Sequence, residues 1–312
     1  MSNVLAVGRY DAISNSAIED EGWTFLPSMK EGAELDEAAR NEIRAVAYLG
    51  HHAFGGDLMD KFPNLGLIAN YGVGYDAIDV EAASARNIKV TNTPDVLSDE
   101  VADLTVAMLL AQLRSVPQAD RHVRSGAWDR KVPFPLQRKM SGQKVGVVGL
   151  GRIGREIADR FAAFKMEIHY WSRKPKDVPN GWVFHEDALG LMSAVDFAVI
   201  ALVGGPDTEG FVSKELIEAL GPKGILVNIS RGSTIDEEAM IEALQDGRLG
   251  GACLDVFRNE PHADKRFYDM ENVILQPHQA SATVETRAAM GKLQRDNIKA
   301  YISGEQPLTP VN

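Results

Sequence analysis

"KVGVVGLGRIGREIADRF", residues 144–161, sets an apolar run, a glycine-rich turn and a helical pattern in immediate succession. Gly149, Gly151 and Gly154 follow G-x-G-x-x-G, and Ile153, Ile157 and Phe161 recur at the spacing of one helix face. The first glycine permits the tight turn, the second lets a pyrophosphate approach the backbone, and the third lets helix and strand pack closely. Open N–H groups at the helix start then meet the phosphate charge. Alone, such a turn is a weak signal that a purely structural glycine loop would also give. A strand before it, a helix after it and further β/α units behind it make it a dinucleotide-binding turn.

Those further units run through most of the chain. Short β-rich runs alternate with helical patterns, which implies parallel sheets with helices on both faces. The first half offers "VLAVG" (4–8), "AVAYLG" (45–50), "LGLIANY" (65–71) and "IKVTNT" (88–93). The second offers "KVGVVG" (144–149), "EIHYW" (167–171), "FAVIAL" (197–202), "ILVNIS" (225–230), "GGACLDV" (250–256) and "NVILQ" (272–276). The expected fold is α/β: two Rossmann-like, doubly wound parallel-sheet domains with an active-site cleft between them. The dinucleotide-binding domain is expected over 98–284, and a discontinuous substrate-binding domain over 1–97 and 285–312.

"SDEVADLTVAMLLAQLRS" (98–115) opens the second of these. Ser98 is placed to cap a helix, and Asp99 and Glu100 suit its positive end. From Val101 to Leu113 the pattern is apolar on nearly every face, so this helix is buried deeply or against another subunit. A last helix is expected over roughly 284–302, ending at Gly304. No internal repeat or low-complexity segment is seen.

With 312 residues, 45% hydrophobic and 25% charged, the composition is that of an ordinary globular protein. A net charge of −11 argues against a nucleic-acid partner and requires any acid-binding site to bring its own cation. Cys253 has no partner for an internal disulfide, and its apolar neighbours make it a core thiol in a reducing compartment. The start lacks a signal-peptide layout and no apolar stretch spans a bilayer, so a cytoplasmic protein without a membrane contact is expected.

"EIHYWSRKPK" (167–176) bears on the cofactor. A dinucleotide fold usually carries an acid about 20 residues past its glycine turn, for the adenosine ribose hydroxyls. Here the strand runs into Ser172, Arg173 and Lys174, with no carboxylate. One reading is a solvated basic loop. The other is that Ser172, Arg173 and Lys174 hold the 2′-phosphate of NADP, where a carboxylate would repel it and arginine matches its geometry. NADPH is therefore favoured, with NADH as the alternative.

Three polar residues follow the ends of late strands, where open α/β sheets bind ligands. Arg231 lies in "NISRGSTIDEEAM", Glu260 in "DVFRNEP" and His278 in "QPHQASAT". Singly they read as a surface ion pair, a turn residue and a capped loop histidine; together they read as a catalytic set.

"GLGRIGREIADRF", "NISRGSTIDEEAMIEAL", "GACLDVFRNEP" and "PHQASAT" resemble the successive signatures of the D-isomer-specific 2-hydroxyacid dehydrogenase family. "NYGVGYDAID" and "NTPDVLSDEVADLTVAMLL" resemble its two upstream motifs, so the likeness runs over most of the chain in order. Within the family the basic Ser-Arg-Lys loop is similar to that of NADPH-dependent glyoxylate/hydroxypyruvate reductases, and plant hydroxyphenylpyruvate reductases carry a comparable one. The resemblance implies that Arg231 clamps the carboxylate and keto oxygen of a small 2-keto acid. It implies that His278 is the general acid, protonating the keto oxygen as hydride arrives from the nicotinamide, and that Glu260 pairs with His278. Charge and proton chemistry support those roles.

The resemblance also implies backbone donors for the substrate carboxylate at Val73 and Gly74, and a substrate-facing loop at Leu49, Gly50 and His51. It implies pyrophosphate contacts at Leu150, Arg152 and Ile153, a nicotinamide-side contact at Thr105, and a carboxamide acceptor at Asp255. Where the family often reads Pro-Leu-Thr-Pro-Glu-Thr, this chain has "VGGPDT" (203–208), whose Gly204 and Thr208 are expected to line the cofactor. Phe134 either reaches a neighbouring subunit's active site or packs locally between its two prolines. The adjacent histidines 51 and 52 lack a third ligand, so no metal is assigned. A homodimer through the helix after Ser98 is expected.

Rival readings are a reductase of a bulkier keto acid, such as hydroxyphenylpyruvate, and a dinucleotide-sensing protein like the C-terminal-binding-protein corepressors. The formate dehydrogenase branch carries glutamine where this chain has Glu260. The phosphoglycerate branch often adds a C-terminal regulatory domain, which is not expected here, since the sequence runs only shortly past the last helix.

Overall fold

The computed structural model describes residues 3–50 and 52–312. Its chain divides into two compact units, Met1–Leu97 with Ala282–Asn312, and Ser98–Ser281.

In the first unit, β1 (Val4–Val7), β2 (Thr24–Leu26), β3 (Ala45–Tyr48), β4 (Leu67–Asn70) and β5 (Lys89–Thr91) form one parallel sheet. Its order is β2-β1-β3-β4-β5. Register explains why these runs are apolar throughout rather than alternating. Leu5, Val46, Ile68 and Val90 stand side by side across four strands, and all are buried. A parallel sheet covered on both faces needs such strands, and each buried aliphatic contributes roughly 1.5–3 kcal/mol. The helix Val284–Ile302, capped by the Thr283 hydroxyl, returns the end of the chain to β3 and β4.

In the second unit the strands are β6 (Lys144–Val148), β7 (Glu167–Trp171), β8 (Val183–His185), β9 (Phe197–Ile200), β10 (Ile225–Asn228), β11 (Gly251–Leu254) and β12 (Val273–Leu275). They form a parallel sheet ordered β12-β11-β10-β9-β6-β7-β8. A buried row of Ile274, Cys253, Val227, Val199, Val147 and Tyr170 crosses it and packs with the helices Ser98–Leu113 and Arg152–Ala163. Cys253 thus belongs to the core, where burial pushes its thiol pKa up and leaves it inert. The helices Ala188–Ala194, Lys214–Leu220 and Glu237–Gln245 contribute to the second hydrophobic cluster.

In both sheets the strand order switches sides beside the first strand, between β1 and β3 and between β6 and β9, with all strands parallel. A glycine ends each of those first strands. Gly8 has φ of +129°, and a Cβ there would lie 2.1 Å from the Leu49 carbonyl oxygen; at Gly149, φ is +99° and the distance is 2.6 Å, to the Ala201 oxygen.

Two strands were not expected from the sequence, β2 and β8. Both have three residues, lie at sheet edges and are only partly buried, so neither shows a continuous apolar run. The helix Ser98–Leu113 takes Ser98 into its first turn, so it starts one position before the Asp99 start that a Ser98 cap would give. Its apolar side chains are covered largely within its own unit, against the helix Arg152–Ala163 and strands β10–β12. Among the described residues no helix is long and apolar enough to cross a membrane.

Candidate active site

The glycine turn follows β6, where the strand order switches sides. Gly149 makes the positive-φ bend, and its N–H donates to the Trp171 carbonyl at 2.9 Å. At Gly154 a Cβ would fall 2.0 Å from the Gly149 carbonyl oxygen, so helix and strand approach closely only because that atom is missing. Gly151 is different: it has open space around it, and the glycine is not demanded by any protein neighbour. That open cradle fits an incoming pyrophosphate. The helix Arg152–Ala163 has no side-chain cap and no acid in its first turn, leaving its positive end to an outside anion. Leu150 is buried, Ile153 half-buried and Arg152 exposed on that turn.

The basic loop leaves the neighbouring strand, β7. The Ser172 hydroxyl is buried and donates to the Lys174 carbonyl at 2.7 Å, which folds the loop and turns its hydrogen inward. Arg173 and Lys174 stand exposed. Arg155 braces the segment beyond them, its guanidinium 5.1 Å from the Trp182 ring centre and its Nη1 3.2 Å from the Asp177 carbonyl.

Glu260 and His278 meet directly, with His278 Nδ1 2.7 Å from Glu260 Oε2. The other carboxylate oxygen, Oε1, accepts the Phe257 amide at 2.9 Å, which fixes the carboxylate's orientation. His278 sits in the left-handed region at φ +54°, an uncommon setting for a side chain with a Cβ, and its N–H donates to the Asp255 carbonyl at 2.8 Å. The Asp255 carboxylate accepts the amides of Gln279 at 2.7 Å and Ala280 at 2.9 Å. Burial raises the Asp255 pKa, and those two amides oppose the rise. Asp255 therefore grips the loop from both sides of its backbone and presents the imidazole.

Arg231 follows β10 on a turn held by Asn228, whose side chain takes the Arg231 carbonyl at 2.9 Å and the Ser230 amide at 3.0 Å. The Arg231 side chain is half-buried, with Nη1 2.8 Å from the Ser230 carbonyl. A Cβ at Gly232 would lie 1.9 Å from the Phe257 carbonyl carbon, so that glycine seats the Arg231 turn against the loop leading to Glu260.

Residues 106–280 match the D-isomer specific 2-hydroxyacid dehydrogenase, NAD binding domain. Glyoxylate/hydroxypyruvate reductase A of Arabidopsis thaliana is 45% identical over 284 residues, covering 90% of this chain and 89% of the relative. This chain belongs to the D-isomer-specific 2-hydroxyacid dehydrogenase family. The hydroxyphenylpyruvate reductase of Plectranthus scutellarioides is 43% identical over 269 residues, 86% of this chain and 85% of that one. Among solved structures, an NADPH-dependent glyoxylate/hydroxypyruvate reductase of Sinorhizobium meliloti, in complex with NADP and malonate, is 42% identical with a TM-score of 0.91. It aligns with 99% of this chain, and the match takes in 96% of its own.

The remaining residues of this dehydrogenase take varied settings. Val73 and Gly74 lie half-buried on the turn after β4. Leu49 and Gly50 follow β3, and a Cβ at Gly50 would lie 2.9 Å from the Tyr48 hydroxyl, which itself donates to the His52 carbonyl. His51 lies outside the described residues. Thr105 is fully buried, its hydroxyl donating to Val101 within the helix at 2.6 Å. The Thr208 hydroxyl closes the 203–208 loop on the Val203 carbonyl at 2.6 Å, while Gly204 is half-buried in that loop. Phe134 packs edge-on against His122, with ring centres 5.3 Å apart. No cluster of three or more metal-ligating acids, histidines or cysteines occurs among the described residues.

Sequence reasoning missed the residues that hold these groups in place: Asn228, Gly232 and the bracing role of Asp255. Their signals are present, a polar residue ending an apolar strand and a glycine after an arginine. What Gly232 and Asp255 touch lies far along the chain, as with Asp255 and Ala280, while Asn228 acts on the backbone of Ser230 and Arg231 beside it.

Proposed function

We propose that this protein reduces a small 2-keto acid, glyoxylate or hydroxypyruvate, to the 2-hydroxy acid with NADPH. The observation that carries the reading is the short His278–Glu260 contact on a braced loop. A carboxylate beside an imidazole favours the protonated ring and orients it, which is what a proton donor to a keto oxygen requires. In the reverse direction, the neutral ring takes the proton from the alcohol. Arg231 supplies the local cation that a chain of net charge −11 needs for an anionic substrate. In the first unit, the amides of Val73 and Gly74 are the donors for a carboxylate.

The glycine turn fits a dinucleotide, with the pyrophosphate at Gly151 and the helix start, and Arg173 and Lys174 on the 2′-phosphate. Such a cofactor, when bound, supplies the hydride. The inward bond of Ser172 makes it the organiser of that loop, with its oxygen lone pairs and the two cations facing the phosphate. Likeness to the Sinorhizobium meliloti enzyme, solved with NADP, supports NADPH over NADH. We further propose a homodimer.

The test is the oxidation of NADPH and NADH followed by absorbance, with glyoxylate, hydroxypyruvate and hydroxyphenylpyruvate. Strong turnover of the first two with NADPH is expected. A marked preference for hydroxyphenylpyruvate would move the assignment to the second reading, which the likeness to the Plectranthus enzyme supports. No turnover of any keto acid with either cofactor would defeat both.

A further inference from the structure

The turn Gly72–Gly74 has an unusual division of its peptide groups. Every carbonyl on it has a donor. The Asn70 side-chain amide donates to the Gly72 oxygen at 3.1 Å and to the Gly74 oxygen at 2.9 Å. The Asn92 side-chain amide donates to the Val73 oxygen at 2.9 Å. The Gly72 oxygen also accepts the Thr93 amide at 2.9 Å, and the Gly72 amide donates to the Thr93 hydroxyl at 3.1 Å. The amides of Val73 and Gly74 find no acceptor among the described residues. Successive peptide dipoles are thereby pinned with their oxygens inward, which leaves consecutive N–H groups for an outside anion.

The braces are themselves anchored. Asn70 ends β4 and is buried. Asn92 follows β5; its backbone oxygen accepts the Thr309 hydroxyl at 2.6 Å, and Thr309 is held in turn by Asn297 through contacts of 3.0 Å to its amide and its hydroxyl. Asn297 is fully buried on the helix Val284–Ile302. A chain of hydrogen bonds through Asn297, Thr309 and Asn92 therefore runs from the last helix to the turn.

We propose that Asn70 and Asn92 are positioning residues for the substrate carboxylate: they hold the Val73 and Gly74 amides in the orientation that receives it. This rests on the reading of that turn as the carboxylate seat. Asparagine is needed because the side chain must donate to carbonyls. Aspartate has the same shape but cannot donate when ionised, and it adds a negative charge behind an anion site.

The experiment compares the wild type with Asn70→Asp and Asn92→Asp. It reads kcat and KM for glyoxylate and for glycolaldehyde, an aldehyde without the carboxylate, together with NADPH affinity, oxamate binding by NADPH fluorescence and melting temperature. Loss of a contact made equally in ground and transition states raises KM and spares kcat. We expect KM for glyoxylate and the oxamate dissociation constant to rise about tenfold or more, with kcat, NADPH affinity and the constants for glycolaldehyde changed by less than about twofold. Asn92 is half-buried, so its variant keeps the test decisive if Asn70→Asp fails to fold. Wild-type oxamate binding that both folded variants retain would overturn the brace alone, as would equal losses for glyoxylate and glycolaldehyde. A wild type that binds no oxamate would remove the carboxylate seat, and the brace with it.

Discussion

Glu260 and His278 share one hydrogen bond, which holds the imidazole in a fixed orientation. Glu260→Gln keeps the shape and removes the charge. The ring then loses its charged partner, so kcat for keto-acid reduction should fall about tenfold or more while KM for NADPH stays level. An unchanged kcat in a folded variant would show that the charge on Glu260 does not reach the reacting proton. His278→Ala should cost about 10²–10⁴-fold in kcat, the usual worth of a positioned acid. Arg173→Ala removes a charge-assisted contact of about 1.5–3 kcal/mol, so KM for NADPH should rise roughly ten- to a hundredfold while that for NADH stays level. Equal effects on both cofactors would mean that Arg173 does not read the 2′-phosphate. At this scale the Glu260–His278 pairing was legible because each is a polar residue past the end of an apolar strand. The braces were not, because Asp255, Asn70 and Asn228 act on backbone amides and carbonyls, and composition does not say where a backbone group points.

The glycine turn separates two kinds of requirement within one element. Gly154 is needed by the protein, since a Cβ there would meet the Gly149 oxygen at 2.0 Å. Gly151 has open space about it and an ordinary negative φ of −84°. Gly154→Ala should therefore destabilise the fold by about 1–3 kcal/mol, read as a lowered denaturation midpoint. Gly151→Ala should leave that midpoint nearly unchanged and weaken dinucleotide binding instead. If Gly151→Ala kept full affinity, the pyrophosphate would have to lie elsewhere. The edge strand β8 supplies a second test. Nε2 of His185 on it lies 2.9 Å from Nδ1 of His169 on β7, so one ring donates and the other accepts. Burial holds both pKa values below the ordinary 6.5, aided at His169 by His185 and Lys144 and opposed by Glu167; Asp187 opposes it at His185. The unfolded chain then binds more protons below that value, and stability falls as pH drops through it. His185→Gln should show a smaller loss of melting temperature than the wild type between about pH 7.5 and about pH 5.5. An identical loss would place the acid sensitivity elsewhere. Elements such as β6 announce themselves by unbroken apolar runs, whereas β2 and β8 gain their strand form from a neighbour's edge and leave little trace in three residues.

Both units wind their sheets the same way and turn the first strand on a glycine, although no repeat is visible in the sequence; topology demands only a Cβ-free residue and apolar strands, which many sequences satisfy. The helix Ser98–Leu113 is apolar on nearly every face, and Ala102, Val106, Met108, Leu109 and Leu113 of it are buried in the core of its own unit. A run of exposed apolar side chains comes immediately after it: Val116, Val123, Trp128, Val132 and Leu136, the last wholly exposed. Single exposed hydrophobics are commonplace, but a succession of them within one segment marks an association surface. If two copies associate, this segment offers a continuous stretch of apolar area, and Phe134 lies within it. Wild-type protein in an analytical ultracentrifuge should sediment as a dimer at micromolar concentration. Trp128→Glu with Leu136→Glu places a charge at two points of that surface, neither buried in the unit, so the fold should be kept. The double variant should sediment as a monomer, with an unchanged far-ultraviolet circular dichroism spectrum. A variant that remains dimeric would move the interface off residues 116–136, and a monomeric wild type would leave this apolar segment facing water.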